Sequence, residues 1–468
     1  MASHGPILQT APHHTAEMAE ADASLLLEAV LQAARRAGAE AAEAVLVTGT
    51  ATEARVRLGV LESMEREDDF AIGLRVFLDR RQASVSTASR QMEALCALAE
   101  RAVAMARLSP PDPHARLAPV ARLKEDPESA AKALRLADES DPAPETLAEL
   151  ATAAEQIARA DDRITNSGGA GASAGRSIRW HATTDGFFAR SESTVYGIGV
   201  SVMAGEGDRA VRDYAAHSAR HFAALETPET VGERARRRTI ARLGARSAPT
   251  GLFPVFFAPR VARTLLGHLA AAINGERIAR GTSFLKERLH ETVFSDAITI
   301  IDDPLRPAGL RSRAFDAEGV ATARRAIVEK GRLLTWLLDT ATADELGLDT
   351  TGHACRGLAE PPSPAPSNLY LEPGSCTPDE LMRAVGQGLL VTELIGQGVN
   401  IVTGDYSRGA AGFWIENGEI AYPVHEVTIA SHLDRMFAEL TAADDLDFRY
   451  GIDAPTLLVP EMTVAGKE

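Results

Sequence analysis

The sequence predicts an α+β protein in which helices and antiparallel β-sheet are mixed without a strict βαβ rhythm. Three observations carry this reading. Helical-period runs and short β-rich runs both occur in each half of the chain. The β-rich runs follow one another across turns instead of alternating with helices. The length, 468 residues, exceeds what one ordinary core organises, so two or three separately buried interiors are expected.

Residues 1–22 read as a disordered lead-in, holding His4, His13 and His14 among small and acidic residues, with no apolar run of signal-peptide type. Residues 23–37 set Leu25, Leu26, Leu27, Val30, Leu31 and Ala34 at helical spacing, and Gly38 is placed to end that helix. Residues 44–47, 53–58, 71–78 and 82–87 read as strands of an antiparallel meander, turned at Asp79-Arg80-Arg81. Helices are expected over 91–108, where Pro110, Pro111 and Pro113 stop the run, and over 144–160. Residues 164–203 are strand-like. Within them 168–175, rich in small residues, reads as a hairpin loop, because no parallel-type strand precedes it and no Gly-Lys-Ser/Thr ending follows.

A helix over 228–243 reads as the connector between halves. The expected organisation is an N-terminal α+β domain with an antiparallel sheet at 23–227, a connecting helix and linker at 228–250, and a β-rich domain at 251–468. In the last, 251–257 is a strand and 259–274 a helix. Further strands are expected at 298–302, 326–329, 333–337 and 369–372, a helix at 378–386, and a long β-rich run at 389–429.

Lys plus Arg number 49 against 65 for Asp plus Glu, a net charge of −16. That balance argues against nucleic acid or an anionic membrane surface as a partner. The basic run Arg234, Arg236, Arg237 and Arg238 has Glu229 and Glu233 close by and reads as a solvated helix face. Cys96, Cys355 and Cys376 are too few and scattered for a disulfide framework, which suits the cytoplasm. No stretch reaches the roughly 20 apolar residues needed to span a bilayer.

Several separated segments then converge. They are 164–170 (Ile-Thr-Asn-Ser-Gly-Gly-Ala), 251–257 leading into Leu265-Leu266-Gly267-His268, Val293-Phe294 followed by 298–304, and above all 400–409 with 412–420. Together they resemble the TldD/PmbA metallopeptidase family from about residue 25 onward, and 298–304 with 409–418 resemble the PmbA (TldE) side of it. The resemblance implies a cytoplasmic zinc peptidase built from two related subunits. One, TldD-like, bears a His-Glu-x-x-x-His helix with a later cysteine as third ligand. The other lacks that set and serves as its partner, with peptides or unfolded proteins as substrate.

A catalytic zinc needs three converging ligands, an open position for water and a carboxylate to take the water's proton. On the family motif, Gly267 stands at the first histidine, His268 at the glutamate and Ala272 at the second histidine. Shifted by one, His268 is the first ligand, but Leu269 and Ile273 fill the other positions. No catalytic residue and no metal ligand is therefore assigned to this chain, and zinc is expected in the TldD-like partner. His290-Glu291 and His425-Glu426 lack a second histidine at the required spacing.

His217 and His221, with Asp213, would share a face if that segment were helical. His353 and Cys355 would point the same way from a strand. A rearranged ligand set such as His268, His353 and Cys355 would make the chain an active peptidase, and a stand-alone peptide-binding adaptor is another reading. No dinucleotide fingerprint, Cys-x-x-Cys pair or strand-to-helix serine elbow is recognised. Gly404, Asp405, Tyr406, Ser407 and Arg408 read as a glycine-flanked charged loop. It either lines a cleft where a peptide adds as a strand, or is a tight turn closed by Asp405 and Arg408.

Overall fold

A computed structural model describes residues 18–466 of the chain. Most of the expected lead-in, with its three histidines, lies outside the described residues, and the first helix, α1 (Glu20–Ala37), begins three residues earlier than its apolar spacing indicates. It stops at Gly38, whose φ of 107° suits a residue without a Cβ. The meander follows as β1 (Ala41–Arg57), β2 (Val60–Leu78) and β3 (Arg81–Thr87), and α2 (Met92–Leu108) returns across it.

After α3 (Pro127–Ala133) the same succession recurs. It runs α4 (Pro144–Ala158), β4 (Ile164–Thr183), β5 (Phe188–Ala204), β6 (Val211–Ala219) and α5 (Pro228–Ala241). All the strands join one six-stranded antiparallel sheet in the order β3-β2-β1-β4-β5-β6. The long central strands β1 and β4 pair continuously from Glu43 opposite Thr183 to Val56 opposite Ala170. Ala42, Ala44 and Leu46 of β1 with Ile178 and Trp180 of β4 are buried under α1 and α2. Ala54 and Val56 with Ala170 and Ala172, from the other ends of those strands, are buried under α4 and α5. Because side chains alternate along a strand, these even-numbered positions put the helices on one face, leaving odd positions such as Glu43, Arg179 and His181 on the other.

Two expectations are corrected here. Residues 168–175 are not a hairpin loop but the interior of β4, paired on both sides with β1 and β5. Their small side chains fit beneath the helices, and a register shift between Ser167 and Gly169, with Gly169 at φ 95°, absorbs the irregularity. The segment around His217 is strand β6, not a helix, so His217 and His221 do not share a helical face. The helix read as a connector, α5, packs against α4 through Val231 and Ala235, and a Cβ on Gly232 would lie 2.6 Å from the Ala154 carbonyl oxygen. Residues 242–250 lead from α5 to β7.

That half is built on β7 (Gly251–Phe257), β14 (Gly388–Ile395), β15 (Asp405–Glu416), β16 (Glu419–His432), β17 (Thr441–Ala442) and β19 (Leu457–Ala465), ordered β16-β15-β14-β7-β19-β17. β16 also pairs with β19, which closes the sheet into a ring. A second sheet takes β8 (Ile300–Asp302), β9 (Arg325–Glu329), β10 (Arg332–Leu333), β13 (Leu369–Leu371) and β18 (Ile452–Asp453), ordered β10-β9-β8-β13-β18. The strand expected at 333–337 thus keeps only its first residue. β11 (Ala354–Cys355) and β12 (Ser363–Pro364) form a separate pair.

The helices α6 (Pro259–Ala272), α7 (Gly275–Ala279), α8 (Thr340–Glu345), α9 (Pro378–Val385) and α10 (Leu433–Glu439) complete this half. Phe257, Leu265, Leu269, Trp414, Ile429 and Val459 share its largest core. Helices and largely antiparallel sheets thus make up both halves, as the α+β reading requires, with parallel strand pairs only at β7–β14 and β13–β18 among the described residues. Among the described residues no helix is long and apolar enough to cross a membrane.

Candidate functional site

α6 leaves β7 directly, with Pro259 in its first turn, where a missing N–H costs nothing. Val261, Leu265, Leu266 and Leu269, at helical spacing, bury one face in the core. The motif positions fall on both faces. Gly267 lies in open space, with nothing within 4 Å of a built Cβ. Ala272 is fully buried, as are Leu269 and Ile273 of the alternative register.

His268 packs edge-on to the Tyr406 ring, with centroids 6.1 Å apart, and its Nε2 is buried without a hydrogen-bond partner among the described residues. Burial, then the nearby positive charge of Arg408, pushes its pKa down to about 4, so the ring is neutral at pH 7. Among the described residues no group of three His, Cys, Asp or Glu side chains is arranged to hold a metal ion.

The other histidines have structural partners. His353 is buried, its Nδ1 2.8 Å from the Thr351 hydroxyl and its Nε2 3.6 Å from Asp302, which also accepts from the Ser367 amide and hydroxyl. Cys355 is exposed, so the pair does not converge. His217 Nδ1 accepts the Glu226 amide at 3.1 Å, and His221 Nε2 donates to the Arg135 carbonyl at 2.8 Å. Asp213 is bound by both terminal nitrogens of Arg260, at 2.6 and 2.9 Å. His290-Glu291 and His425-Glu426 are exposed on the surface. Gly171-Ala-Ser-Ala-Gly175 has the spacing of a serine elbow, but Ser173 sits mid-strand in β4 with no turn into a helix.

The segment expected as a charged loop is mostly strand. The turn lies just before it, where the Gly404 amide donates to the Asn400 carbonyl at 2.7 Å, and β15 begins at Asp405. Gly404 has φ 91°, and a Cβ there would come 2.6 Å from the His432 ring. Asp405 accepts from the Thr403 hydroxyl at 2.5 Å and, with Ser407, faces solvent. Tyr406 points inward and is buried, as is the Nε of Arg408. Tyr406 therefore belongs to the packing around His268 and does not line a cleft.

What the sequence did not show is a polar seam between the halves. Glu43, on the face of the first sheet opposite α1, α2, α4 and α5, accepts from Arg356 at 2.7 Å, Arg75 at 3.0 Å and His181 at 3.0 Å, all buried. Burial opposes its charge, but Arg356, His181 and Arg75 outweigh that and hold its carboxyl well below the usual range. Arg75 also lies 3.8 Å from the buried Glu318. At Gly73 the backbones approach so closely that a Cβ would meet the Leu358 oxygen at 2.3 Å. These residues come from distant positions and form no local motif. The one signal available was a charge within an apolar stretch, Glu43 among residues 41–47 of β1 and Arg75 among residues 70–78 of β2.

Two cavities are lined by residues of both halves. One, of about 500 Å³, lies beside the start of α6 and is lined by Arg237, Arg238, Arg260, Phe413 and Tyr450 among others. The second, about 250 Å³, lies between the first sheet and the loops at 312–317 and 354–356.

Comparison with known proteins agrees with this architecture. Family models match in series: PmbA/TldA metallopeptidase domain 1 over residues 42–106, the central domain over 137–243 and the C-terminal domain over 250–466. Metalloprotease PmbA of Escherichia coli O157:H7 is 38% identical over 452 residues, which cover 96% of this chain and 98% of that protein. The Metalloprotease PmbA homolog of Haemophilus influenzae is 37% identical over 442 residues, covering 93% and 94%. A solved structure from Bacteroides thetaiotaomicron, described as a candidate modulator of DNA gyrase, has a TM-score of 0.87 at 27% identity and covers 96% of this chain and all 100% of that one. TldE from Thermococcus kodakarensis shares the fold, with a TM-score of 0.82 at 20% identity over 94% of this chain and 100% of its own. The chain belongs to the PmbA/TldD metallopeptidase family.

Proposed function

We propose that this chain is the subunit without zinc in a PmbA/TldD-type cytoplasmic metallopeptidase. It pairs with a TldD-like paralogue that carries the metal, and the pair acts on peptides or unfolded proteins. The observation that carries this reading is the composition of α6. Gly267 has no donor atom, and Ala272 and Ile273 are enclosed by apolar neighbours. His268 stands against Tyr406 and, among the described residues, has Arg408 and no carboxylate as its charged neighbour. Its contribution to a shared reaction is then to shape and bind. The larger cavity beside α6, with rings from Phe413 and Tyr450 among guanidinium groups, suits an extended peptide segment.

The test is purification of the chain alone and after co-expression with the paralogue that bears the intact His-Glu-x-x-x-His helix. Alone, it is expected to carry no stoichiometric zinc and to cleave nothing. Co-expressed, it should co-purify as a complex with about one zinc per pair and peptidase activity. Stoichiometric zinc with cleavage by the chain alone would overturn the proposal, and failure to co-purify would point instead to an adaptor.

A further inference from the structure

We propose that the smaller cavity, between the first sheet and the loops at 312–317 and 354–356, is an anion site that takes a carboxylate or phosphate group. This stands independently of the zinc question, since it concerns binding by the isolated chain. The cavity is lined by Arg179, Arg220, Arg313 and Arg356, with Asp316 and Glu192 as its acids. Three of these arginines carry a guanidinium N–H, Arg179 Nη2, Arg313 Nε and Arg356 Nε, that is buried with no hydrogen-bond partner among the described residues. The Arg356 side chain is only 3% exposed.

Both acids are engaged elsewhere. Glu192 is bound by Arg176 and by Arg190, the latter at 2.7 Å. Asp316 accepts the amides of Glu318 at 2.9 Å, Val320 at 3.0 Å and Ala354 at 3.1 Å, and burial pushes its carboxyl up toward the neutral form. Arg220 is held by main-chain oxygens of Thr194 and Gly309 and meets no acid. Among the described residues, Arg179, Arg220 and Arg313 have no carboxylate at ion-pair distance. Glu43, which takes one nitrogen of Arg356, is shared with Arg75 and His181.

A buried guanidinium without a counter-charge is unfavourable, and arginine cannot relieve this by losing its proton at neutral pH. Burial, then the like charge of Arg356, lowers Arg179 to about 10, which leaves it charged. Planar guanidinium forks bind oxyanions in pairs, and the hydroxyls of Ser191 and Ser193 on the same wall add neutral donors. The space suits one small group, not a folded partner, and the exposed Cys355 and Ser177 in its lining show that solvent reaches it.

Cys355 also supplies the readout. The full chain, at low ionic strength, is treated with iodoacetamide and the labelling of each cysteine is followed by peptide mass. The additions are inorganic phosphate, a short peptide as its free acid, the same peptide as its C-terminal amide, and chloride at matched ionic strength. Phosphate or the free acid should slow labelling of Cys355 while leaving Cys96 and Cys376 unchanged. Arg179→Gln and Arg313→Gln should each weaken that protection about tenfold. Free acid effective over amide identifies a peptide terminus as the source, and protection by phosphate alone identifies a phosphate group. If one variant fails to fold, the other decides. Equal effects of amide, chloride and anions, no protection at all, or protection undiminished in the folded variants would overturn the site.

Discussion

At Glu43 a single carboxylate joins two strands of the first sheet to a loop of the second half. Replacing it in Glu43→Gln would leave Arg75 and Arg356 buried without a full counter-charge, and should cost about 3–5 kcal/mol in urea unfolding; a loss below about 1 kcal/mol would show that the network is not coupled. Glu318 has the opposite sense. Burial, then Asp316 and Asp339, raises its pKa, so the folded state holds a proton that the unfolded chain has lost. Its contribution to stability therefore falls as the pH rises from the ordinary carboxylate range through neutrality. Glu318→Gln should flatten that decline in a series of melts, and an unchanged pH slope would count against it. For His268 the folded pKa is lowered, so stability is complete above the ordinary histidine value of about 6.5 and is lost as the pH falls toward about 4, by up to roughly 3 kcal/mol. His268→Leu should remove this acid limb without loss at neutral pH, because its Nε2 has no hydrogen-bond partner among the described residues. Of these residues only His268 was legible in sequence, through its place in a degenerate motif. Glu43, Arg75, His181 and Arg356 are brought together by strand pairing and inter-half packing, for which no spacing rule exists.

Among the elements, α6 separates two kinds of position. Gly267 has helical surroundings and open space, so Gly267→Ala should stabilise the protein by roughly 0.5–1 kcal/mol. Ala272→His would force an imidazole into a fully buried site and should destabilise by at least about 1–3 kcal/mol, read in the same unfolding experiment. If both substitutions were neutral, the helix would not be packed as described. The amphipathic helices were legible nearly to their ends: α5 was expected over 228–243 and runs Pro228–Ala241, and α6 was expected over 259–274 and runs Pro259–Ala272. Strand β7 was legible in full, since Phe257 anchors it in the largest core, Phe256 in a smaller cluster with Leu381 and Ile415, and Pro259 stops it. The interior of β4 was not. Glycine, alanine and serine carry little intrinsic strand signal, and this stretch is a strand because β1 and β5 supply its hydrogen bonds and the helices need its small side chains. β15 was read as a loop at its start because Gly404, Asp405 and Ser407 are turn formers, although the turn itself ends one residue before the strand.

Over the whole molecule, the two halves are fastened by acids with depressed pKa values, Glu43 and Asp213. At Asp213 the hydrogen bonds and charge of Arg260 outweigh the effect of burial. Stability from such groups is complete above the unfolded carboxylate pKa and is lost as the pH falls through the folded value. Amide exchange, corrected for its intrinsic pH dependence, should therefore show protection across the seam falling below about pH 4 before the two cores open; simultaneous loss everywhere would mean that the halves do not part first. The mixed architecture was legible from periodicity, but the closing of a ring by β16 and β19 depends on contacts that composition does not record. The recurrence of helix, three strands and helix on either side of the β1–β4 pairing has a further consequence. Each unit meets its counterpart along an antiparallel seam, as two copies of one protein do in a symmetric dimer. Here the copies are tethered, so their local concentration is fixed by the connecting chain and does not depend on dilution. Cutting the backbone between α3 and α4 would release that constraint, and the first half would then assemble by mass action, as separate subunits do.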